Sequence, residues 1–415
     1  MRFRYSKRIN RGNRRWFALL ILLLAACVPG TPQPASPAPT ESSLPTMTVP
    51  AETAPATEAP ATQSPIPPTD TAVAVPTGTE IVETVIPTRI LRMIDEQAGW
   101  GTTESEIVRT VDGGVSWQRV SPASMASNPS APGAFFLDAE HAWALQPDPA
   151  DFNRGTLYRT ADAGNAWEPI DVPFGGGSPV FLDEMQGWML AARGAAMSSS
   201  ETDLYRTADG GATWQLVYDM DPTQPQDESD LPFSGSKNGL AFLNEQTGWV
   251  AGSVPQPGFI WLYKTEDGGQ TWQRQDLPFP NGIEDAQTNA YAPRFFNEQS
   301  GLLPVQFFGD MIYTVIYRTE DGGKSWTAGT PAPLAGEVDL ISLQDVVIWN
   351  GGPSLLWSHD AGQTWEERPT NLDLTPVLAN FDFATPATGW ALTGDAEGNH
   401  ALYKTTDGGA TWTQP

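Results

Sequence analysis

Cysteine is almost missing from this chain: among 415 residues there is one, Cys27. A single thiol excludes any internal disulfide and leaves no cysteine set for a metal. Histidine is nearly as scarce. His141, His359 and His400 each stand alone, so no histidine metal cluster is expected, and no cofactor is expected either. Basic residues are few where they would matter. Seven of the 23 (Arg2, Arg4, Lys7, Arg8, Arg11, Arg14 and Arg15) precede residue 16, which leaves 16 to face 49 acids, a net charge of −33. A surface this acidic repels phosphate backbones, which argues against nucleic acid as a partner. It also keeps the chain off anionic lipid unless something anchors it. Long apolar runs are confined to "WFALLILLLAA" (16–26), too short to span a bilayer comfortably.

What is present falls into three materials. Residues 1–26 have the basic and apolar regions of a secretion signal. "LAAC" (24–27) resembles the bacterial lipobox, which implies lipidation of Cys27 and a protein exported and anchored to a membrane at the cell surface or periplasmic face. "RRWF" (14–17) faintly resembles a twin-arginine signal, but the very apolar stretch after it favours the general route. Residues 27–87 are rich in Pro, Thr, Ala and Ser, and residues 28–87 hold no Lys or Arg. Such a segment cannot bury enough apolar surface to offset its ordering entropy, so a disordered tether is expected.

From residue 88 to 415 the chain is periodic. One phrase recurs seven times: "VRTVDGGVSWQ" (108–118), "YRTADAGNAWE" (158–168), "YRTADGGATWQ" (205–215), "YKTEDGGQTWQ" (263–273), "YRTEDGGKSWT" (317–327), "WSHDAGQTWE" (357–366) and "YKTTDGGATWT" (403–413). Its acids are Asp112, Asp162, Asp209, Asp267, Asp321, Asp360 and Asp407, and its indoles Trp117, Trp167, Trp214, Trp272, Trp326, Trp365 and Trp412. A second phrase precedes each copy, as in "FLDEMQGWML" (181–190), "FLNEQTGWVA" (242–251) and "SLQDVVIWNG" (342–351). Each reads as a strand, a polar turn and a strand opening near Gly-Trp. With the strands before and after the box, each unit has four strands of alternating apolar and polar residues. The expected fold is therefore all-β: a single seven-bladed propeller of four-stranded antiparallel blades at 88–415, preceded by the tether. The last unit stops at "TWTQP", so "EIVETVIP" (80–87) is expected to pair with it and close the ring.

The pattern Ser/Thr-x-Asp-x-Gly-x-Thr/Ser-Trp resembles the Asp-box, or BNR repeat, of sialidases and related propellers. The resemblance implies a hairpin between a blade's third and fourth strands. Ala166 and Ser358 depart from it slightly. A turn Asp accepts nearby backbone N–H groups. The Gly two residues later allows positive φ, and the Trp supplies an apolar plate to bury between units with its N–H paired. The seven aspartates thus read as structural.

Three functional readings follow. A sialidase carries an arginine triad, the first commonly in Arg-Ile-Pro; "TRILRM" (88–93) has Arg89-Ile90-Leu91, and that enzyme class has six blades. A two-propeller xyloglucan-degrading glycosidase needs opposed carboxylates in a cleft between two propellers. The Gly-Trp strand with the "T-x-DGG-x-TW" box also resembles the photosynthesis system II assembly factors, which implies a non-enzymatic, partner-binding scaffold. That family's basic patch has no counterpart here, so the photosystem role does not carry over with the fold. The acidic loop 219–230 lacks a calcium-loop spacing. The expected function is therefore non-catalytic binding of a protein partner at a membrane, and the alternative is a carbohydrate-active enzyme or glycan-binding protein. Either would use the end of the units opposite the boxes, whose loops vary in length. Candidate contacts there are Phe152, Arg154, Phe259, Tyr291, Arg294, Phe307 and Phe308.

Overall fold

The computed structural model describes residues 85–125, 133–196, 199–221, 223 and 226–415. Among these residues the regular structure is entirely β-strand, and no helix is long and apolar enough to cross a membrane. Cys27 and nearly all of the tether lie outside them.

Each repeat unit is an antiparallel meander in which consecutive strands pair. In unit 1 the strands are Ile90–Met93, Gly99–Thr102, Ile107–Thr110 and Gln118–Arg119. Units 2, 3 and 6 repeat that order as separate four-stranded sheets. Units 4 and 5 share one nine-stranded sheet, because Gln287–Ala290 pairs with Ser253 and Val254 on one side and with Val305–Phe308 on the other. In unit 7 the strands Leu378–Phe383, Gly389–Gly394 and His400–Thr405 form a three-stranded sheet. Its fourth position is a single bridge from Thr413 to Lys404.

The expected alternation holds for the first strand Ile90–Met93 but not for the second strands. Gly99–Thr102 and Val346–Trp349 are buried throughout. A second strand has a neighbouring sheet on each face, so both of its faces must be apolar or satisfied. The core consequently lies between units. Trp188 and Leu204 of unit 3 pack with Phe242 and Val250 of unit 4. Leu91, Met93 and Val108 of unit 1 pack with Trp390, Leu392 and Leu402 of unit 7. First and last units also meet through polar groups: the Trp390 indole donates to the Gly113 carbonyl (2.8 Å), and Arg92 pairs with Asp382 at 2.8 Å.

Of the segment expected to close the ring, residues 80–84 lie outside the described residues. Residues 85–87 form no strand, though Val85 and Ile86 pack against the cluster between units 1 and 7. The phrase 342–351 needs a shift of register. Leu340 pairs with Val346, so Val347 occupies the position of Trp100 and Trp188, and Trp349 lies two residues further on.

Candidate partner-binding surface and the opposing Asp-box end

A four-strand meander places its first and third turns at one end of the sheet and its middle hairpin at the other. The first turn and the box therefore share an end, and they bond directly. The box amide after the Asp donates to the first turn of its own unit, as Gly113 N to Gln97 O (2.9 Å) and Gly210 N to Met185 O (2.9 Å).

Within each box the geometry is nearly invariant. The Thr or Ser two residues before the Asp donates its hydroxyl to Oδ1 at 2.8 Å, and accepts the amide two residues after the Asp at 2.8–3.0 Å. Oδ1 also accepts the amide four residues on, at 2.8–2.9 Å. Oδ2 takes the hydroxyl of that residue at 2.6 Å in Asp112, Asp209, Asp267, Asp321 and Asp360, and Thr411 makes the same bond to Asp407. At Asp209, slight desolvation raises the pKa, but the bonds from Thr213 and Thr207 outweigh it and hold the carboxyl below its usual range. The Ser325 hydroxyl and amide bring Asp321 down to about 2. A carboxylate committed in this way has no lone pair arranged for acid–base chemistry.

The glycines answer to the next sheet rather than to the hairpin alone. Gly323 has φ 72°, and a Cβ there would come within 2.3 Å of the Trp249 ring of the preceding unit. Trp143 donates its N–H to Gly210 O (2.8 Å) and Trp188 to Gly268 O (3.2 Å). The second-strand Trp and the following unit's box thus interlock. Both positions after the Asp adopt positive φ, including Ala163 (63°) and Ala361 (59°), where glycine is replaced. Pairing of the box indoles is uneven: Trp167 donates to Val120 O (2.6 Å), whereas the buried N–H groups of Trp117 and Trp412 find no partner.

The cations beside the boxes are committed as well. Arg109, Arg206, Lys264 and Lys404 lie over the indoles of Trp100, Trp188, Trp249 and Trp390 at 4.8–5.8 Å. Arg159 grips Glu168 and the Asp209 carbonyl, and Arg89 forms an exposed pair with Glu104.

The opposite end carries the candidate contacts. Its hairpin loops are short, because residues 148–155 and 304–313 are mostly strand: Ala142–Asp148 turns into Asp151–Thr160, and Gly301–Phe308 into Ile312–Thr319. Phe152 is 73% exposed, with Phe308, Met311 and Ile312 also exposed on the unit 5 hairpin. Phe307 is a correction. It is fully buried and packs edge-on to Phe279 at 5.6 Å, because the strand is covered on both faces up to Val305–Phe307. Phe259 is half-buried under Arg274 at 5.3 Å. Arg154 lines a cavity of about 600 Å3 with Asp148, Asp151 and Asp171. A second cavity of about 400 Å3 holds Arg193, which pairs with Asp203 (3.0 Å), Asp219 (2.9 Å) and Glu201 (3.3 Å).

Tyr291 and Arg294 belong to a polar feature the sequence reading missed. Arg92, Arg294, Asp339 and Asp382 occupy the same position in the first strands of units 1, 5, 6 and 7, each pairing opposite the residue just after the second-strand glycine or its equivalent. Each of the last three reaches into the following unit. Arg294 donates to Leu340 O (2.8 Å), Asp339 accepts Phe383 N (2.7 Å), and Asp382 accepts Met93 N (2.6 Å). Units 2, 3 and 4 carry Phe135, Val180 and Ala241 there. Burial, then the neighbouring Asp382 charge, pushes the Asp339 carboxyl up to about 7. Burial pushes the Arg294 guanidinium down, and Arg92 adds to the effect. Aligning the units on their turns would have exposed this set. A cavity of about 230 Å3 opens beside it, lined by Tyr291, Arg294, Glu337 and Asp339.

The chain matches no protein-family profile and no curated protein. Among solved structures it is similar to a protein described as "YCF48 bound to D1 peptide", with 19% identity, a TM-score of 0.51 and coverage of 78% of this chain and 95% of that one. It also aligns with YCF48 from Cyanidioschyzon merolae (18% identity, TM-score 0.47, covering 78% and 97%). A third alignment is with a polysaccharide lyase described as a PL25 ulvan lyase (13%, 0.46, covering 79% and 94%). At 19% identity the first of these likenesses concerns the fold alone: curled antiparallel sheets of the propeller kind.

Proposed function

We propose that residues 88–415 form a closed seven-bladed propeller which, held to the outer face of a membrane by a lipid on Cys27 and the tether 27–87, binds a protein partner without catalysing a reaction. The closed ring is supported by the packing of unit 1 on unit 7 and by the division of the nine-stranded sheet into two repeats. One observation carries the binding role. The end opposite the boxes exposes large apolar side chains at hairpin tips, Phe152 at 73%, Met311 at 57% and Ile312 at 45%. Apolar groups displayed on a rigid scaffold mark contact surfaces, and the solved protein whose description names a bound D1 peptide has a similar fold.

The test is proximity labelling and pull-down from native membranes with the full chain. Phe152→Ser combined with Ile312→Ser should abolish capture of a defined partner while leaving the melting curve in place. Undiminished capture would count against this surface. Cys27→Ser should release the protein from membranes, and unchanged retention would contradict the anchor.

A second reading, a carbohydrate-active enzyme, is favoured by the cavity around Arg193. There Asp203, raised chiefly by desolvation, sits beside Glu201 and Tyr205. The three carboxylates bound to Arg193 weigh against it, because a glycosidase separates one protonated and one ionised carboxyl. Turnover of oligosaccharides that Asp203→Asn abolishes would establish the second reading.

A further inference from the structure

Six of the seven boxes fill Oδ2 of their Asp with a Ser or Thr hydroxyl from the fourth residue on, and unit 2 does not. There the residue is Ala166. Its amide still reaches Asp162 Oδ1 at 2.9 Å, but among the described residues no hydroxyl bonds to Oδ2 in place of the missing one. Asp162 borders a cavity of about 600 Å3 between unit 2 and the first turn of unit 3, lined also by Trp167, Glu184 and Met185 and by the cationic or ionisable groups His141 and Arg159.

The cavity differs in kind from its counterpart in unit 4. That one is about 310 Å3, contains the Thr271 hydroxyl and is walled by Lys264, Arg274 and Lys324. Its box indole, Trp272, is fully buried, whereas Trp167 is half-exposed and lines the unit 2 cavity. The polar wall of the unit 2 cavity is fixed in place. His141 is clasped by Asp138 (2.9 Å) with Glu184 at 3.3 Å, and Arg159 holds Glu168 at 2.8 Å. Arg159 and His141 line the cavity already paired with carboxylates, and beside them it presents an indole, a thioether and carboxylate oxygens.

We propose that this cavity binds a neutral saccharide, one ring of which packs on Trp167 while a hydroxyl donates to Asp162 Oδ2 where the other boxes place a Ser or Thr hydroxyl. Sugars present both features the site requires, an apolar ring face and hydroxyl donors, in one rigid group. Acidic walls exclude anionic sugars. The site lies at the box end and is independent of the partner-binding surface, so either can fail alone.

The experiment titrates the full chain in detergent with cellohexaose, xylohexaose, mannohexaose and maltohexaose, reading tryptophan fluorescence and heat. At least one should bind with a Kd of about 0.1–5 mM. Ala166→Thr restores the box hydroxyl, so it should hold or raise Tm while weakening that binding about tenfold or more. Ser116→Ala, which removes the Oδ2 hydroxyl in unit 1, away from the unit 2 cavity, should leave the affinity unchanged. The proposal is overturned if no member binds up to about 10 mM, if Ala166→Thr binds as the parent does, or if only a polyamine such as spermidine occupies the site.

Discussion

The two ends of the sheets show different chemistry from the same repeat. At the box end most polar groups have an assigned partner: the Asp takes its hairpin, Arg206 covers an indole, and the Trp188 N–H reaches the next unit. Apolar side chains stand in solvent at both ends, Val111 and Val115 in a box and Phe152, Met311 and Ile312 at the opposite hairpin tips, where Arg193 also gathers three carboxylates. The first end repeats because it must fit its neighbour on both sides. The second is free to vary because no other described segment has to fit its tips. Substitutions should therefore cost stability at one end and binding at the other.

The largest loss is expected from the interlock. Trp143→Ala removes a buried indole and its bond to Gly210, and should destabilise by about 3–5 kcal/mol in denaturant melts. Asp209→Ala leaves the Thr213 hydroxyl and amide unpaired and should cost about 1–2 kcal/mol, with binding at the far end unaltered. Ala361→Gly relieves a left-handed alanine but deletes a fully buried methyl from the cluster of Leu302, Ile316 and Leu340, so the two offset and stability should change by less than about 0.5 kcal/mol, the smallest effect.

The pH dependence separates two kinds of carboxylate. Box aspartates such as Asp209 and Asp321 are held below the unfolded value of about 3.9, so their contribution is complete above that pH and is lost as the pH falls toward 2. Asp339 is raised, so the folded state takes up its proton first. Its unfavourable contribution is full above about pH 7 and vanishes as the pH drops toward 4. Stability should peak near pH 4–5. Asp339→Asn should flatten the limb from pH 4 to 7 and leave the acid limb unchanged.

The repeat was legible because seven copies of one phrase impose a period that no single copy could. From "YRTADGGATWQ" alone Asp209 could be an active-site acid; its six equivalents make it a hairpin fastener, and the bonds from Thr207 and Thr213 agree. The partnership between Trp143 and Gly210 was not legible, since it joins residues 67 apart in different units. The run Arg294, Asp339, Asp382 and Arg92 was hidden for the same reason: four charges scattered along the chain share one position only after the turns are superposed. Phe307 was misread as a loop residue because its strand, covered on both faces, lacks the alternation that distinguishes Phe308.

The central claim is that the protein-partner surface and the box architecture occupy opposite ends. Capture of a partner from native membranes by the parent chain, by Phe152→Ser/Ile312→Ser and by Asp209→Ala tests it most directly. The account predicts capture by the parent and by Asp209→Ala at a temperature where both are folded, and none by the double variant. Capture that survives the double variant and disappears with Asp209→Ala would contradict it.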